Sequence, residues 1–126
     1  MKTCEIGPER VEDFIGFSWK VHSGDRTWIP PMRSTMRREL ERKEDRVLFL
    51  CEDGGEVVGR VAASTHPEMN PVGMVGHFES IEDNEIGASL FTAAEEWLRK
   101  LAEKLLTEEE KAKIAGGNAA RIYHLN

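Results

Sequence analysis

The segment Val47-Leu-Phe-Leu-Cys51, Glu52-Asp-Gly-Gly-Glu56, Val57-Val-Gly-Arg-Val-Ala-Ala-Ser-Thr65 decides the fold. Upstream of Val47 the apolar residues recur at helical spacing. At Val47 they become a continuous run of strand length. The turn that follows contains Asp53-Gly54 and Gly54-Gly55, pairs that adopt positive φ at little cost, so the chain reverses there. Val57 to Thr65 is the return strand, and 47–65 reads as a hairpin. After a loop at His66-Pro67-Glu68-Met69-Asn70-Pro71, Val72-Gly-Met-Val-Gly-His-Phe-Glu-Ser80 supplies a third strand, expected to run antiparallel to the second. Its glycines suggest a bulge or a close backbone approach.

Working outward, residues 3–6 read as a short strand joined to one edge of this meander and stopped by Gly7-Pro8. Val11, Phe14, Ile15 and Trp19 then recur at helical spacing, predicting a helix over 9–22 with Phe14, Ile15 and Trp19 inward. Gly24 ends it. Trp28-Ile-Pro-Pro31 is extended, because proline restricts both itself and the residue before it. A second helix is expected from Pro31 to about Glu44, with Met32, Met36 and Leu40 as a thin apolar stripe. Downstream, Asp83 or Asn84 caps a helix reaching about Leu106, whose Leu90, Ala94, Trp97 and Leu101 face should lie on the sheet. Helices 9–22 and 31–44 should cover the opposite face. Thr107 and Glu110 form a capping box that opens another helix to about Ala115, and a last turn runs through Tyr123. The fold class is α+β: about four mostly antiparallel strands with helices on both faces. The bulk falls in residues 1–104, with a helical tail over 105–126.

The 126 residues fit one domain and are too few for a (β/α)₈ barrel. The net charge of −6 argues against a nucleic-acid partner. No apolar run is long enough to span a membrane and no signal-peptide core follows the first residues, so the expected partners include no membrane and the expected location is the cytoplasm. Two cysteines, Cys4 and Cys51, make neither a disulfide framework nor a metal site. Cys51, at the end of an apolar strand, reads as a core thiol. Arg33, Arg37, Arg38 and Arg42 read as a solvated helix face, since Glu39, Glu41, Glu44 and Asp45 are interleaved with them.

Beyond this topology, Phe17-Ser-Trp-Lys-Val-His22, Trp28-Ile-Pro-Pro31, Val58-Gly-Arg-Val-Ala62, His77-Phe-Glu79 and Ala94-Glu-Glu-Trp-Leu-Arg99 resemble a bacterial subgroup of the GCN5-related N-acetyltransferase (GNAT) family. The likeness covers roughly residues 3–100. It implies a truncated acetyltransferase-like fold, since the family would continue with a fifth strand. Residues 106–125, with Gly117-Asn-Ala-Ala-Arg121, are instead similar to the C-terminal end of amidohydrolase-superfamily enzymes, and the whole resembles a gene-fusion product. No His-x-His pair is present, so amidohydrolase activity and a metal are not expected.

The resemblance implies coenzyme A as cofactor, its pyrophosphate held on backbone amides at the start of the long helix. Those amides belong here to Asn84, Glu85, Ile86, Gly87 and Ala88. In the family the cofactor lies where strands four and five part. Glu79, Glu82, Asp83 and Glu85 make the surrounding sequence acidic, with no base among them. Asp83 and Glu85 also suit the positive end of a helix dipole. His77 and Glu79, two apart on a strand, share a face and are the candidate general bases, with a surface or interface pair as the alternative. Tyr123 is the one tyrosine; it is a candidate acid for a leaving thiolate, and packing in the tail is the simpler role. The expectation is a catalytically impaired acetyltransferase-like protein that requires no cofactor. The alternative is an acyl-CoA-dependent N-acetyltransferase, or an acyl-CoA binder using acetyl-CoA, with the site completed by a homodimer through strand 72–80. An unpaired strand edge favours such pairing.

Overall fold

The computed structural model describes residues 1–41, 46–65 and 73–105. The order is β1 (Lys2–Ile6), a 3-10 turn (Pro8–Arg10), α1 (Val11–Val21), α2 (Arg33–Leu40), β2 (Arg46–Asp53), β3 (Glu56–Thr65), β4 (Gly73–Ser80) and α3 (Asn84–Leu105). The strands form one antiparallel sheet in the order β1-β2-β3-β4. The expected tail helices, Tyr123 included, lie outside the described residues.

The hairpin closes on Gly54 and Gly55, whose φ values of 61° and 84° a side chain would resist. Asp53 and Glu56 form its last cross-strand pair. The apolar run in β2 is continuous because both faces of the sheet are covered. Val47, Phe49 and Cys51 pack toward Ile86, Leu90, Ala94 and Leu98 of α3. Leu48 and Leu50 pack with Phe14, Ile15, Met36 and Leu40 of α1 and α2.

Three expectations change. The helix expected over 31–44 starts at Arg33 and is described to Leu40; residues 42–44 lie outside the described residues. Met32, at φ −72° and ψ 123°, is still extended and acts as the N-cap. Met36 and Leu40 are buried as expected, but Met32 is 70% exposed. The helix expected over 9–22 begins as the 3-10 turn, Pro8 supplying its first position. Along α3, Leu98 takes the central place expected of Trp97: the buried line is Ile86, Leu90, Ala94 and Leu98, and Trp97 packs at its margin. Residues four apart stack on one helical stripe, which selects 98 after 90 and 94.

α3 sits close to the sheet at Gly59. A Cβ there would come within 2.7 Å of Ile86 Cγ2 and 2.8 Å of Leu90 Cδ1. The bare backbone of Gly59 therefore sets the approach of α3 to β3.

Candidate functional site

β4 carries the bulge that its glycines suggested. Arg60 pairs with Glu79 and Ala62 with Gly76, so three steps along β4 answer two along β3. His77, at φ 55°, absorbs the irregularity. An unbroken period of two would put Val75, His77 and Glu79 on one face. The extra residue changes that phase. Val75 packs into the α3-side core and Phe78 lies 4.7 Å from the Phe91 ring of α3. His77 and Glu79 instead turn toward α1, where the His77 ring meets Phe14 edge-on at 6.4 Å.

Arg60 organises the other side of this junction. It is 3% exposed on β3. Its Nη1 donates to Phe14 O at 2.7 Å, its Nε donates to His77 O at 3.1 Å, and its Nη2 lies 3.3 Å from Glu79 Oε1. The Phe14 ring also lies 4.9 Å from the guanidinium. Glu79 Oε1 is shared: Ser18 Oγ donates to it at 3.1 Å and His22 Nε2 lies 3.5 Å away. Among the described residues, the buried Glu79 Oε2 has no hydrogen-bond partner. An orphaned buried acceptor is costly, of order 1–3 kcal/mol. Burial lowers the pKa of His77 below its ordinary 6.5, and the nearby Arg60 and Arg46 charges lower it further, so its imidazole is neutral at pH 7.

Ser18, Arg60, His77 and Glu79 line a cavity of about 340 Å³ between the sheet and the α1–α2 connection. Its apolar wall is Trp28, Pro31, Met32 and Met36, and its charged groups are Arg60, Glu79 and Glu39. Trp28 is held by a stacked contact with His22 at 4.7 Å and an edge contact with Trp19 at 5.5 Å. The structure thus brings the sequence candidates His77 and Glu79 to one cavity. It adds Ser18, His22 and Arg60, which sequence reasoning missed. An arginine inside the apolar strand 57–63 was the available signal, since a buried cation requires a partner.

The other candidates lie elsewhere, at the start of α3. Asp83 caps this helix, as expected: its Oδ1 accepts from Glu85 N at 2.9 Å, and its carbonyl accepts from Ile86 N and Gly87 N at 3.2 and 3.5 Å. Ile86 turns its side chain into the core, while Asn84, Glu85 and Ala88 are exposed. Asp83, Asn84 and Gly87 border a shallow groove of about 590 Å³ with Phe78 and Glu82. Glu79 does not join the acidic group at 82–85, because the bulge turns it to Arg60. Among the described residues no cluster of His, Cys, Asp and Glu is arranged to hold a metal ion.

A four-stranded antiparallel sheet between one long helix and two shorter ones, with a bulged edge strand facing a cavity, is the acetyltransferase-like fold of the GNAT type. The chain superposes on ribosomal-protein-alanine N-acetyltransferase from Brucella melitensis with a TM-score of 0.61 at 12% identity, covering 81% of this chain and 69% of that one. It superposes on a GNAT-family acetyltransferase from Streptococcus pneumoniae with a TM-score of 0.58 at 15% identity, covering 79% and 67%. An aminoglycoside 6′-N-acetyltransferase complexed with coenzyme A gives 0.53 at 17% identity, covering 79% and 56%. No family model matches the chain. In sequence it is 31% identical over 100 residues to Protein YghO of Escherichia coli (strain K12), covering 71% of this chain and 26% of that protein. It is 30% identical over 105 residues to the bacterial ceramide synthase of Caulobacter vibrioides (strain NA1000 / CB15N), covering 73% and 27%. The chain spans about a quarter of the length of these curated relatives.

Proposed function

We propose that this chain is an acetyltransferase-like protein that binds a primary amine in the cavity at His77 and Glu79 and is impaired in coenzyme A binding. The orphaned Glu79 Oε2 carries this reading. A carboxylate turns readily about its terminal torsion. A small rotation presents Oε2 to an ammonium donor in the cavity, and the charge-assisted bond removes the unsatisfied acceptor. Glu39 and Glu79 outnumber Arg60 in the cavity wall, which favours a cation. The neutral His77 beside them can take the proton an ammonium must lose to become a nucleophile. In this reading His77 is the general base and Glu79 the anchor, with Arg60 and Ser18 positioning the anchor.

The residues at the start of α3 do not fit a pyrophosphate. Asp83 already occupies the Glu85 amide and places a negative charge at the helix N-terminus, with Glu82 and Glu85 exposed beside it. An anion brought there meets carboxylates rather than cations. No transfer step is therefore derived through the cofactor. The impairment accords with a fusion origin, which rests on the resemblance of residues 106–125 to amidohydrolase C termini.

A second reading is acyl-CoA-dependent N-acylation in a homodimer. It is favoured by the β4 edge, which among the described residues pairs only with β3. A second copy at this edge would complete the backbone pairing and supply another wall beside α3. The names of the N-acetyltransferase neighbours and of the ceramide synthase relative support an N-acylating ancestry.

Calorimetric titration of the full chain with n-hexylamine and separately with acetyl-CoA tests both readings. The first expects amine binding that Glu79→Gln abolishes, with no acetyl-CoA binding. Acetyl-CoA binding by a species of twice 14.3 kDa in light scattering would replace it with the second. No amine binding would overturn the anchor role of Glu79.

A further inference from the structure

His22 closes the C-terminal turn of α1, and its backbone is fixed on both sides. Its N–H donates to Ser18 O and its carbonyl accepts from Asp25 N, both at 3.0 Å. The chain then folds back on itself. Gly24 passes through the turn at φ 88°, and Asp25 Oδ1 accepts from Thr27 N at 2.9 Å and from Thr27 Oγ1 at 2.7 Å. Trp28 is thereby returned to the end of α1, where its ring stacks on that of His22 at 4.7 Å, 11° from parallel. Trp19 adds an edge contact at 5.5 Å.

The polar edge of the same imidazole faces Glu79, with Nε2 3.5 Å from Oε1. Ser18 and His22 are four apart at the end of α1, so they share a stripe, and both converge on this one oxygen. Stacking on Trp28 alone would suit any aromatic ring, and facing Oε1 alone would suit any donor. His22 combines the two in one side chain. It does not itself line the cavity, whereas the two residues it meets, Trp28 and Glu79, both do.

We propose, on the reading of the cavity as an amine site, that His22 is its positioning residue, holding Trp28 as the wall for an amine's apolar tail and Glu79 Oε1 in its anchoring position. With Oε1 engaged by Arg60, Ser18 and His22, Oε2 is the oxygen left for an ammonium group. Trp28, Pro31, Met32 and Met36 then receive the carbon chain that the nitrogen carries. An apolar tail gains most against a wall already in place, because ordering a loose ring on binding costs conformational freedom. Amine affinity and preference for an apolar tail therefore both pass through His22.

Two substitutions separate the two contacts. His22→Phe keeps an aromatic ring for Trp28 and removes the nitrogen that faces Glu79, while His22→Gln keeps a donor and removes the ring. Calorimetric titration of the full chain compares n-hexylamine with ethylamine, and the ratio of their affinities measures the tail. The native chain should favour n-hexylamine about tenfold. His22→Phe should weaken both amines about fivefold with the ratio retained. His22→Gln should cut the ratio to about twofold. Trp28→Leu should cut it likewise and serves where His22→Gln does not fold, as judged by circular dichroism melts. A second measurement needs no ligand. Of the three tryptophan indole N–H signals in heteronuclear NMR spectra of the full chain, the one lost in Trp28→Phe should move further in His22→Gln than in His22→Phe. Equal native affinity for the two amines, a ratio unaltered in folded His22→Gln or in Trp28→Leu, or a Trp28 signal indifferent to His22→Gln would each overturn the role of His22 and leave the amine site standing. No amine binding by the native chain would overturn the site itself, and the role of His22 with it.

Discussion

Arg60 and Glu79 are cross-strand partners at the β4 bulge, and the guanidinium Nη2 reaches to 3.3 Å from the carboxylate. Arg60 also ties two backbone carbonyls, those of Phe14 and His77, so one side chain joins α1, β3 and β4. Removing one member of a buried pair leaves the other uncompensated, whereas replacing both with apolar residues often does not. Arg60→Met should lower stability by about 3 kcal/mol, and Arg60→Met with Glu79→Met should recover much of it. Urea denaturation of the two variants checks this, and equal losses would locate the effect in packing instead of charge.

The depressed pKa of His77 links stability to pH. The folded state favours the neutral ring, so the unfolded chain takes up the proton first on acidification. This contribution is fully present above the ordinary value of 6.5 and is lost as pH falls from there through the folded pKa. Denaturation midpoints should therefore drop between pH 7 and pH 5 more steeply in the native chain than in His77→Asn. Asparagine tolerates the positive φ at this position, which makes it the suitable control. Matching pH slopes would remove His77 as the cause.

Gly59→Ala tests the approach of α3 to the sheet. The added methyl would stand 2.7 Å from Ile86 Cγ2, well inside contact distance. A loss of about 2 kcal/mol is expected, as overpacking a filled core produces. A change in chemical denaturation below about 0.5 kcal/mol would mean that α3 shifts freely.

The stripe along α3 predicts an order of effects. Leu98, 2% exposed, should lose about 3 kcal/mol as Leu98→Ala. Trp97→Ala should lose less despite removing more atoms, because Trp97 lies at the margin of the core. The reverse order in thermal or urea melts would place Trp97 at the centre.

Much of the molecule was legible in the residues. Asp53-Gly54-Gly55 specified the hairpin, the unbroken apolar run at Val47 specified a strand covered on both faces, and Asp83 specified the start of α3. These are local signals, set by φ preferences, hydrophobic periodicity and capping chemistry within a few residues. At Met32 the local reading failed: its hydrophobicity fitted a helical stripe, but it is the extended N-cap of α2 and lies at the surface.

That His77 and Glu79 share a face was read from their spacing, but the cavity they line and their other surroundings were not. Spacing along β4 could not say which face they share, because one bulged residue exchanges the faces of everything beyond it. The position of that bulge depends on how β4 pairs with β3, a strand it meets only in three dimensions. The same is true of Arg60, whose partners Phe14, His77 and Glu79 come from two other elements. The sequence alone determined the elements and their order, because turn, cap and periodicity act over short stretches of chain. Tertiary pairing decided the site, because the hydrogen bonds and charges that define it exist only when distant strands and α1 are brought together.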